Sequence, residues 1–166
     1  MKHLEIWCSL LVEQEEVHRK CFSADPKDRI EALKDIRHRF NSFPDRQRAW
    51  NDLINLTCDD DPSVNSNAAS ILSTIFLHVP DKEIAWVDLH RLVTDKSTSV
   101  RKNVALAIGF NFSYIVDKKQ AWEDLHNLSL DENSSVRKCV ASAIGASFSQ
   151  ITDKEYLDRF VQTIKR

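Results

Sequence analysis

Residues 81–116 read DKEIAWVDLHRLVTDKSTSVRKNVALAIGFNFSYIV, and residues 117–152, DKKQAWEDLHNLSLDENSSVRKCVASAIGASFSQIT, repeat their pattern. A third copy occupies residues 45–80. Three columns of apolar residues recur at intervals of 36 residues: Trp50, Trp86 and Trp122; Phe40, Phe76, Phe112 and Phe148; and Val64, Val100 and Val136. A single period shared by so many columns indicates a tandem array of one structural unit.

Each unit is predicted to form two helices joined by a tight turn. Both halves of the unit place apolar residues at the i, i+3, i+4, i+7 spacing of an amphipathic helix. In the clearest copy these residues are Ala85, Trp86, Leu89 and Leu92, followed by Val100, Val104, Ala107 and Ile108. Asp81 stands at an N-cap position, and residues 95–99 supply the turn. Because two helices cannot cover both of their apolar faces, we expect neighbouring units to stack and to bury the tryptophan column.

Composition narrows the class of protein. The two glycines of this chain, Gly109 and Gly145, occupy matching positions of a second helix, which predicts close helix packing and leaves no Gly-rich phosphate loop. The net charge of -2 lacks the surplus of Lys and Arg that nucleic-acid and membrane-surface proteins need. Four cysteines without a C-x-x-C pair, and no apolar run of membrane-spanning length, favour a cytoplasmic protein with reduced thiols.

The turn between the two helices carries a second repeated feature. Its acidic and basic residues are Asp95 with Arg101 and Asp131 with Arg137, six residues apart in each copy, whereas Asp59 is followed by Asn65. A helical hairpin with these residues resembles the HEAT repeat, over about residues 25–155. The D-K-x-x-A-W-x-D-L-H segment is similar to archaeal HEAT-repeat proteins, some of which attach such arrays to signalling NTPases as sensing modules. The resemblance implies a structural ladder of Asp and Arg between neighbouring turns, and a scaffold or binding surface.

Together these features predict an all-α, right-handed solenoid of about nine helices in a single domain. We expect a degenerate N-terminal cap repeat at residues 1–44, full repeats at 45–80, 81–116 and 117–152, and a closing half repeat at 153–166. In the cap, the tryptophan column falls at Gln14, and the first helix has an apolar pattern of its own. Terminal repeats are expected to be atypical because one side faces water.

Chemistry-bearing residues do not form the pattern of an enzyme or a metal site. His90 and His126 occupy equivalent positions, and stacked helices lie about 10 Å apart, too far for the two rings to share one metal ion. We interpret them as packed or solvated helix residues. The acidic run 59–61 lacks the alternating ligands of a calcium loop and is interpreted as a capping turn. We therefore expect no catalytic residue, no metal and no cofactor.

The second helices carry the candidate binding surface, because in stacks of this kind they usually line the concave face. Residues outside their buried stripe include Leu77, Lys102, Leu106, Phe110 and Lys138. Exposed apolar residues rimmed by lysines suit a protein or peptide partner with acidic flanks. The alternative is that Phe110 tucks between repeats.

The sequence favours a non-catalytic protein–protein interaction scaffold or sensing module that has no membrane partner. Two other functions stay open. A HEAT-like protein that binds nucleic acid or processes DNA lesions needs a basic concave surface, and the charge balance argues against such a surface. A self-assembling repeat fragment would form a homo-oligomer by stacking its half-repeat end on another copy.

Overall fold

A computed structural model describes residues 2–147 of the chain, with side chains from residue 4 onward. The described residues form helices and connecting turns, and no strand occurs among them. The helices are α1 (Lys2–Cys21), α2 (Pro26–Arg39), α3 (Arg46–Thr57), α4 (Pro62–Ile75), α5 (Lys82–Leu92), α6 (Thr98–Phe110), α7 (Lys118–Ser129) and α8 (Ser134–Ser147). The predicted all-α class is confirmed. The ninth predicted helix, at residues 153–166, lies outside the described residues, as does Phe148.

Aspartates cap the first helices of the repeats. At the start of α3, the Asp45 carboxylate accepts a hydrogen bond of 2.9 Å from the Arg48 amide. At the start of α7, Asp117 accepts the equivalent bond of 2.9 Å from the Gln120 amide. These bonds satisfy amides that have no partner within their own helix. Since the two aspartates lie two repeat lengths apart, the repeat sets where the helices begin.

The repeated phenylalanine marks the end of the second helix in three copies. Phe40, Phe76 and Phe112 each begin a short 3₁₀ turn, after α2, α4 and α6 respectively. All three side chains are buried. The phenylalanine column therefore ties the end of each second helix to the core.

The chain divides into two compact units. Among the described residues, the first comprises residues 2–71 together with His78–Asp81, and the second comprises Leu72–Leu77 together with residues 82–147. In the first unit, α1, α2 and α3 pack against one another. In the second unit, α6 packs against α5, α7 and α8. The single-domain organisation and its repeat boundaries stay predictions.

The repeated tryptophans lie inside these units. Trp50 is fully buried in the first unit, and Trp86 and Trp122 are buried in the second, with 7% and 5% of their surface exposed. An indole ring is the largest apolar group a protein can bury. The tryptophan column therefore supplies core packing and not a surface for a partner.

Close packing of α6 on α8 depends on a glycine. A Cβ atom added at Gly109 would lie 2.5 Å from the Cα and the carbonyl oxygen of Ala143. A Cβ added at Gly145, the matching position in α8, would meet no atom of the described residues within 4 Å. The close packing predicted for both glycines is thus found at Gly109, whereas Gly145 faces open space in the described part of the chain.

Candidate binding surface

The exposed side of α6 carries three of the predicted binding residues. Lys102, Leu106 and Phe110 follow one another at intervals of four residues, so they lie along one face of the helix. Lys102 and Leu106 are half-buried, and Phe110 keeps 54% of its surface exposed. Phe110 does not tuck into the core, which leaves its ring available to a partner.

Leu77 and Lys138 are also exposed in the second unit. Lys138 lies on α8, the helix that packs against α6 through Gly109 and Ala143. Leu77 lies in the 3₁₀ turn after α4, and 40% of its surface is exposed. Sequence reasoning missed Tyr114, four residues after Phe110, whose surface is 55% exposed. Its column holds glutamine in the next copy and histidine in the previous one, so no repeated aromatic signal pointed to it.

The lysines of this face carry charge that the described residues do not neutralise. Among residues 4–147, no carboxylate forms an ion pair with Lys102 or Lys138. The two residues occupy equivalent positions on packed helices, 36 residues apart. The face therefore combines apolar side chains with two ammonium groups that can meet a carboxylate of a partner.

A second set of predicted residues forms links between turns. Arg101 holds the carboxylate of Asp131 in two places: Nε lies 2.7 Å from Oδ2, and Nη2 lies 3.1 Å from Oδ1. Nη1 of the same guanidinium donates to the carbonyl oxygens of Asp95 and Lys96 in its own turn. Both side chains of the ion pair are nearly buried, with 11% and 8% exposed. The hydrogen bonds from Arg101 hold the pKa of the Asp131 carboxyl below its ordinary value.

The other predicted ladder residues act within their own turns. The Asp95 carboxylate accepts a hydrogen bond of 2.7 Å from the Ser97 amide. Nη1 of Arg137 donates to the carbonyl oxygens of Asp131 and Glu132. Arg101 and Arg137 therefore each bind the backbone of the turn that precedes them in the chain. Arg101 also binds the carboxylate of Asp131, which belongs to the following turn.

The first unit contains the same kind of link in a place the pattern did not indicate. Arg29 Nη2 donates to Asp59 Oδ1 over 3.0 Å, and Arg29 Nε lies 2.8 Å from Asp59 Oδ2, although it makes no hydrogen bond there. Thirty residues separate the partners, as they do for Arg101 and Asp131. Asp59 thus has an arginine partner in the repeat before it, even though its own copy carries Asn65 in place of the arginine.

Histidine–aspartate pairs form a further link that sequence reasoning missed. His90 Nδ1 lies 2.7 Å from Oδ2 of Asp124, whose carboxylate also accepts a bond of 3.1 Å from Gln120. His18 Nδ1 lies 2.9 Å from both carboxylate oxygens of Asp52. Each pair spans 34 residues and joins the first helices of neighbouring repeats, so both have the same register.

The two aspartates of these pairs are buried. Asp52 and Asp124 have 5% and 2% of their surface exposed. Burial raises the pKa of the Asp52 carboxyl above its ordinary value, although the hydrogen bond with His18 acts in the opposite direction. A buried carboxylate is costly without a partner, so the histidines support the packing of the first helices. The sequence does contain a pattern that predicts these pairs: histidines recur at one position of the repeat, and aspartates recur 34 residues after them.

An open cleft of about 520 Å³ in the second unit exposes both kinds of link. Its walls include His90, Arg101, Gln120, Asp124 and Asp131. His90 and Arg101 are paired with Asp124 and Asp131 in this cleft. Arg91 also lines it and lies 3.9 Å from Asp88 of its own helix. The contacts between neighbouring repeats account for four of its polar side chains, those of His90, Arg101, Asp124 and Asp131.

The described residues offer few groups that could bind a metal ion, cross a membrane or react as a nucleophile. No three His, Cys, Asp or Glu side chains among residues 4–147 come together as possible metal ligands. None of the helices α1–α8 has both the length and the apolar character needed to cross a membrane. The four thiols are free, and burial raises the pKa of Cys21 to about 12. Cys21 is therefore an unreactive core residue.

Solved structures of designed helical repeat proteins share this fold. A computationally designed armadillo repeat protein for modular peptide recognition is 20% identical, with a TM-score of 0.55 over 89% of this chain and 69% of that one. A designed armadillo repeat protein in complex with the peptide (KR)4 is 18% identical, with a TM-score of 0.60 over 89% and 69% of the two chains. An engineered protein is 22% identical, with a TM-score of 0.59 over 90% and 68%. No protein-family model and no curated protein matches the sequence. At these identities the likeness shows the fold alone: the chain is a helical repeat protein.

Proposed function

We propose that this protein is a non-catalytic scaffold or sensing module of the HEAT type, and that it binds a peptide or protein segment in the cytoplasm. The proposed binding surface comprises Leu77, Lys102, Leu106, Phe110 and Lys138, on the face formed by the second helices. The observation that carries the proposal is the exposure of Phe110, which keeps 54% of its surface accessible on a helix whose neighbouring positions are packed. Large apolar side chains exposed beside unpaired charges are typical of protein-binding surfaces.

The charges of this surface support a partner that carries acidic residues. Lys102 and Lys138 favour a segment that carries Asp or Glu, and Leu106 and Phe110 favour apolar side chains in the same segment. The designed armadillo protein bound to (KR)4 recognises a basic peptide. The lysines of this chain predict the opposite preference, so the shared fold would serve a different ligand.

A selection from a displayed library of random peptides tests the proposal. We expect enriched peptides to combine acidic and apolar residues, and we expect them to bind the wild-type chain but not the Leu106→Asp, Phe110→Asp double variant. A circular dichroism melt of the variant shows whether it is folded. Enrichment of basic peptides, or equal binding by the double variant, would contradict the proposal.

A nucleic-acid ligand is tested in parallel. Gel shifts with labelled duplex DNA and single-stranded RNA, at low and moderate salt, should show no complex, because the net charge is -2. A salt-dependent complex would favour the nucleic-acid function over the peptide function.

A further inference from the structure

Two rows of side chains lie side by side on the second helices of the second unit. Each row follows one face of its helix at intervals of four residues: Lys102, Leu106 and Phe110 on α6, and Lys138, Ser142 and Ala146 on α8. The rows occupy equivalent positions of consecutive repeats. Because α6 and α8 pack closely, with Gly109 against the backbone of Ala143, both rows face the same side and form one surface, here called the α6–α8 face.

The two rows differ in the size of their side chains. Leu106 is half-buried and Phe110 keeps 54% of its surface exposed, whereas Ser142 and Ala146 carry small side chains. Beside Ala146, a Cβ atom added at Gly145 would meet no atom of the described residues within 4 Å. The α8 side of the face is therefore lower than the α6 side, and a rod-shaped segment can lie on it against Leu106 and Phe110.

Polar side chains of this face already bond within their own helices. Asn103 Nδ2 donates to the carbonyl oxygen of Ser99 over 2.8 Å, and the Ser142 hydroxyl donates to that of Lys138 over 3.3 Å. An extended ligand brings backbone N–H and C=O groups that need partners, and the described residues contain no strand whose edge could bind them. A helical ligand satisfies its own backbone, so this face favours a helix.

The charges of the face lie at one end. Lys102 and Lys138 belong to the first halves of α6 and α8, and within residues 4–147 neither has a carboxylate in ion-pair distance. The apolar end is formed by Phe110, the last residue of α6. A complementary ligand therefore carries its acidic and apolar side chains at different levels along its length.

We propose that the partner is an amphipathic α-helix lying along the α6–α8 face, with a carboxylate at Lys102 and Lys138 and apolar side chains at Leu106 and Phe110. This inference rests on the proposed function, because it describes the ligand of the same surface. The eight residues from Lys102 to Phe110 correspond to about 12 Å along α6. A helical partner spans that distance with an acid about eight residues from its apolar anchor, whereas an extended one needs about four residues.

Charge exchange tests where the acid binds. We expect Lys102→Glu to weaken binding of a helical peptide about tenfold, and replacement of the peptide's acid by lysine to restore it. Lys119→Glu is the matched control, since Lys119 is an exposed lysine on α7 of the same unit. Equal losses for both variants, or no rescue by the lysine peptide, would overturn the placement of the acid at Lys102.

Two labelled synthetic peptides of identical composition test the helical partner by fluorescence anisotropy. One places a glutamate and two apolar residues at the i, i+4, i+8 spacing of a helix face, and the other at the i, i+2, i+4 spacing of a strand. We expect the helix-spaced peptide to bind about tenfold or more tightly, and a proline at its centre, which breaks a helix, to abolish that binding.

The outcomes separate this inference from the proposed function. Tighter binding of the strand-spaced peptide, or full binding of the proline peptide, would overturn the helical partner. If such binding is still lost in Phe110→Asp, the proposed function stands with an extended ligand. Binding of neither peptide would also overturn the helical partner, and the selection from random peptides, which imposes no spacing, then decides the proposed function by itself.

Discussion

Arg101 and Asp131 lie 30 residues apart in the chain, yet the guanidinium of Arg101 holds both carboxylate oxygens of Asp131, at 2.7 and 3.1 Å. The same guanidinium binds two carbonyl oxygens of its own turn. One side chain therefore fixes the turn that precedes it and ties that turn to the next one. Because both partners are nearly buried, the link stabilises the stacking of neighbouring repeats in the second unit.

Removing the charge of Asp131 should destabilise the fold. We expect Asp131→Asn to lower the free energy of unfolding by about 2 kcal/mol, the usual loss for a hydrogen bond to a charged group in a desolvated site. The measurement is urea denaturation followed by circular dichroism. Glu132→Gln is the control, because Glu132 lies 3.9 Å from Arg101 but has 92% of its side chain exposed. An equal loss for both variants would contradict a specific role of Asp131.

The same link predicts a pH dependence. The pKa of Asp131 is lowered in the folded chain, so between that value and the unfolded value of about 3.9 the unfolded chain binds more protons. Stability from this group is therefore present above about pH 4 and is lost as the pH falls through the folded pKa. Melts from pH 6 to pH 3 should show a smaller acid-induced loss for Asp131→Asn than for the wild-type chain.

Carboxyl titration by NMR checks the direction of that shift. Asp131 should titrate below the ordinary aspartate value, whereas Asp52, whose pKa is raised by burial, should titrate above it. The reverse order would show that Arg101 does not hold Asp131 as described.

The two glycines should respond to alanine with opposite signs. Gly109→Ala places a methyl group against the backbone of Ala143, and overpacking of this kind costs about 1–3 kcal/mol. Gly145→Ala meets no described atom within 4 Å, so the gain in helix propensity, up to about 1 kcal/mol, should appear as increased stability. Urea denaturation of both variants measures the difference. Stabilisation by Gly109→Ala would contradict the close approach of α6 and α8.

Loss of the His90 side chain should leave the buried carboxylate of Asp124 with too few hydrogen-bond partners. In His90→Ala, Gln120 remains as a donor to Asp124, and a partly satisfied buried acceptor costs about 1–3 kcal/mol. Chemical denaturation measures this loss, and the exposed residue His38 provides the control through His38→Ala. If the two variants are equally stable, the pair between His90 and Asp124 does not support the packing of the first helices.

The repeat in the sequence predicts the helices well, because residues at the same position of each copy have the same local surroundings. The caps at Asp45 and Asp117 and the burial of the tryptophans follow from local capping and from apolar periodicity. Contacts between repeats do not follow in the same way. An arginine can reach the aspartate six residues before it or the one thirty residues after it, and only the stacked geometry decides between them.

The histidines show the same limit. The spacing of stacked helices predicts that His90 and His126, which occupy equivalent positions, lie about 10 Å apart. The partner of His90 is Asp124, which belongs to a different column of the repeat. The sequence alone also does not determine whether Phe110 is exposed. A helical wheel places this residue at the border of the buried stripe, and the neighbouring helix decides whether its ring is covered.

The binding of an acidic, apolar peptide to the Phe110 surface tests the central claim most directly. The measurement is fluorescence anisotropy of a labelled synthetic peptide from the library selection, titrated with the wild-type chain, with Phe110→Asp, and with Val116→Asp. Val116 is a matched control because it is exposed to a similar extent, 59% against 54% for Phe110. We expect Phe110→Asp to weaken binding by about 30-fold or more, as loss of a hot-spot residue does, and Val116→Asp to bind like the wild-type chain. Equal affinities for all three chains would contradict the claim that this surface binds the partner.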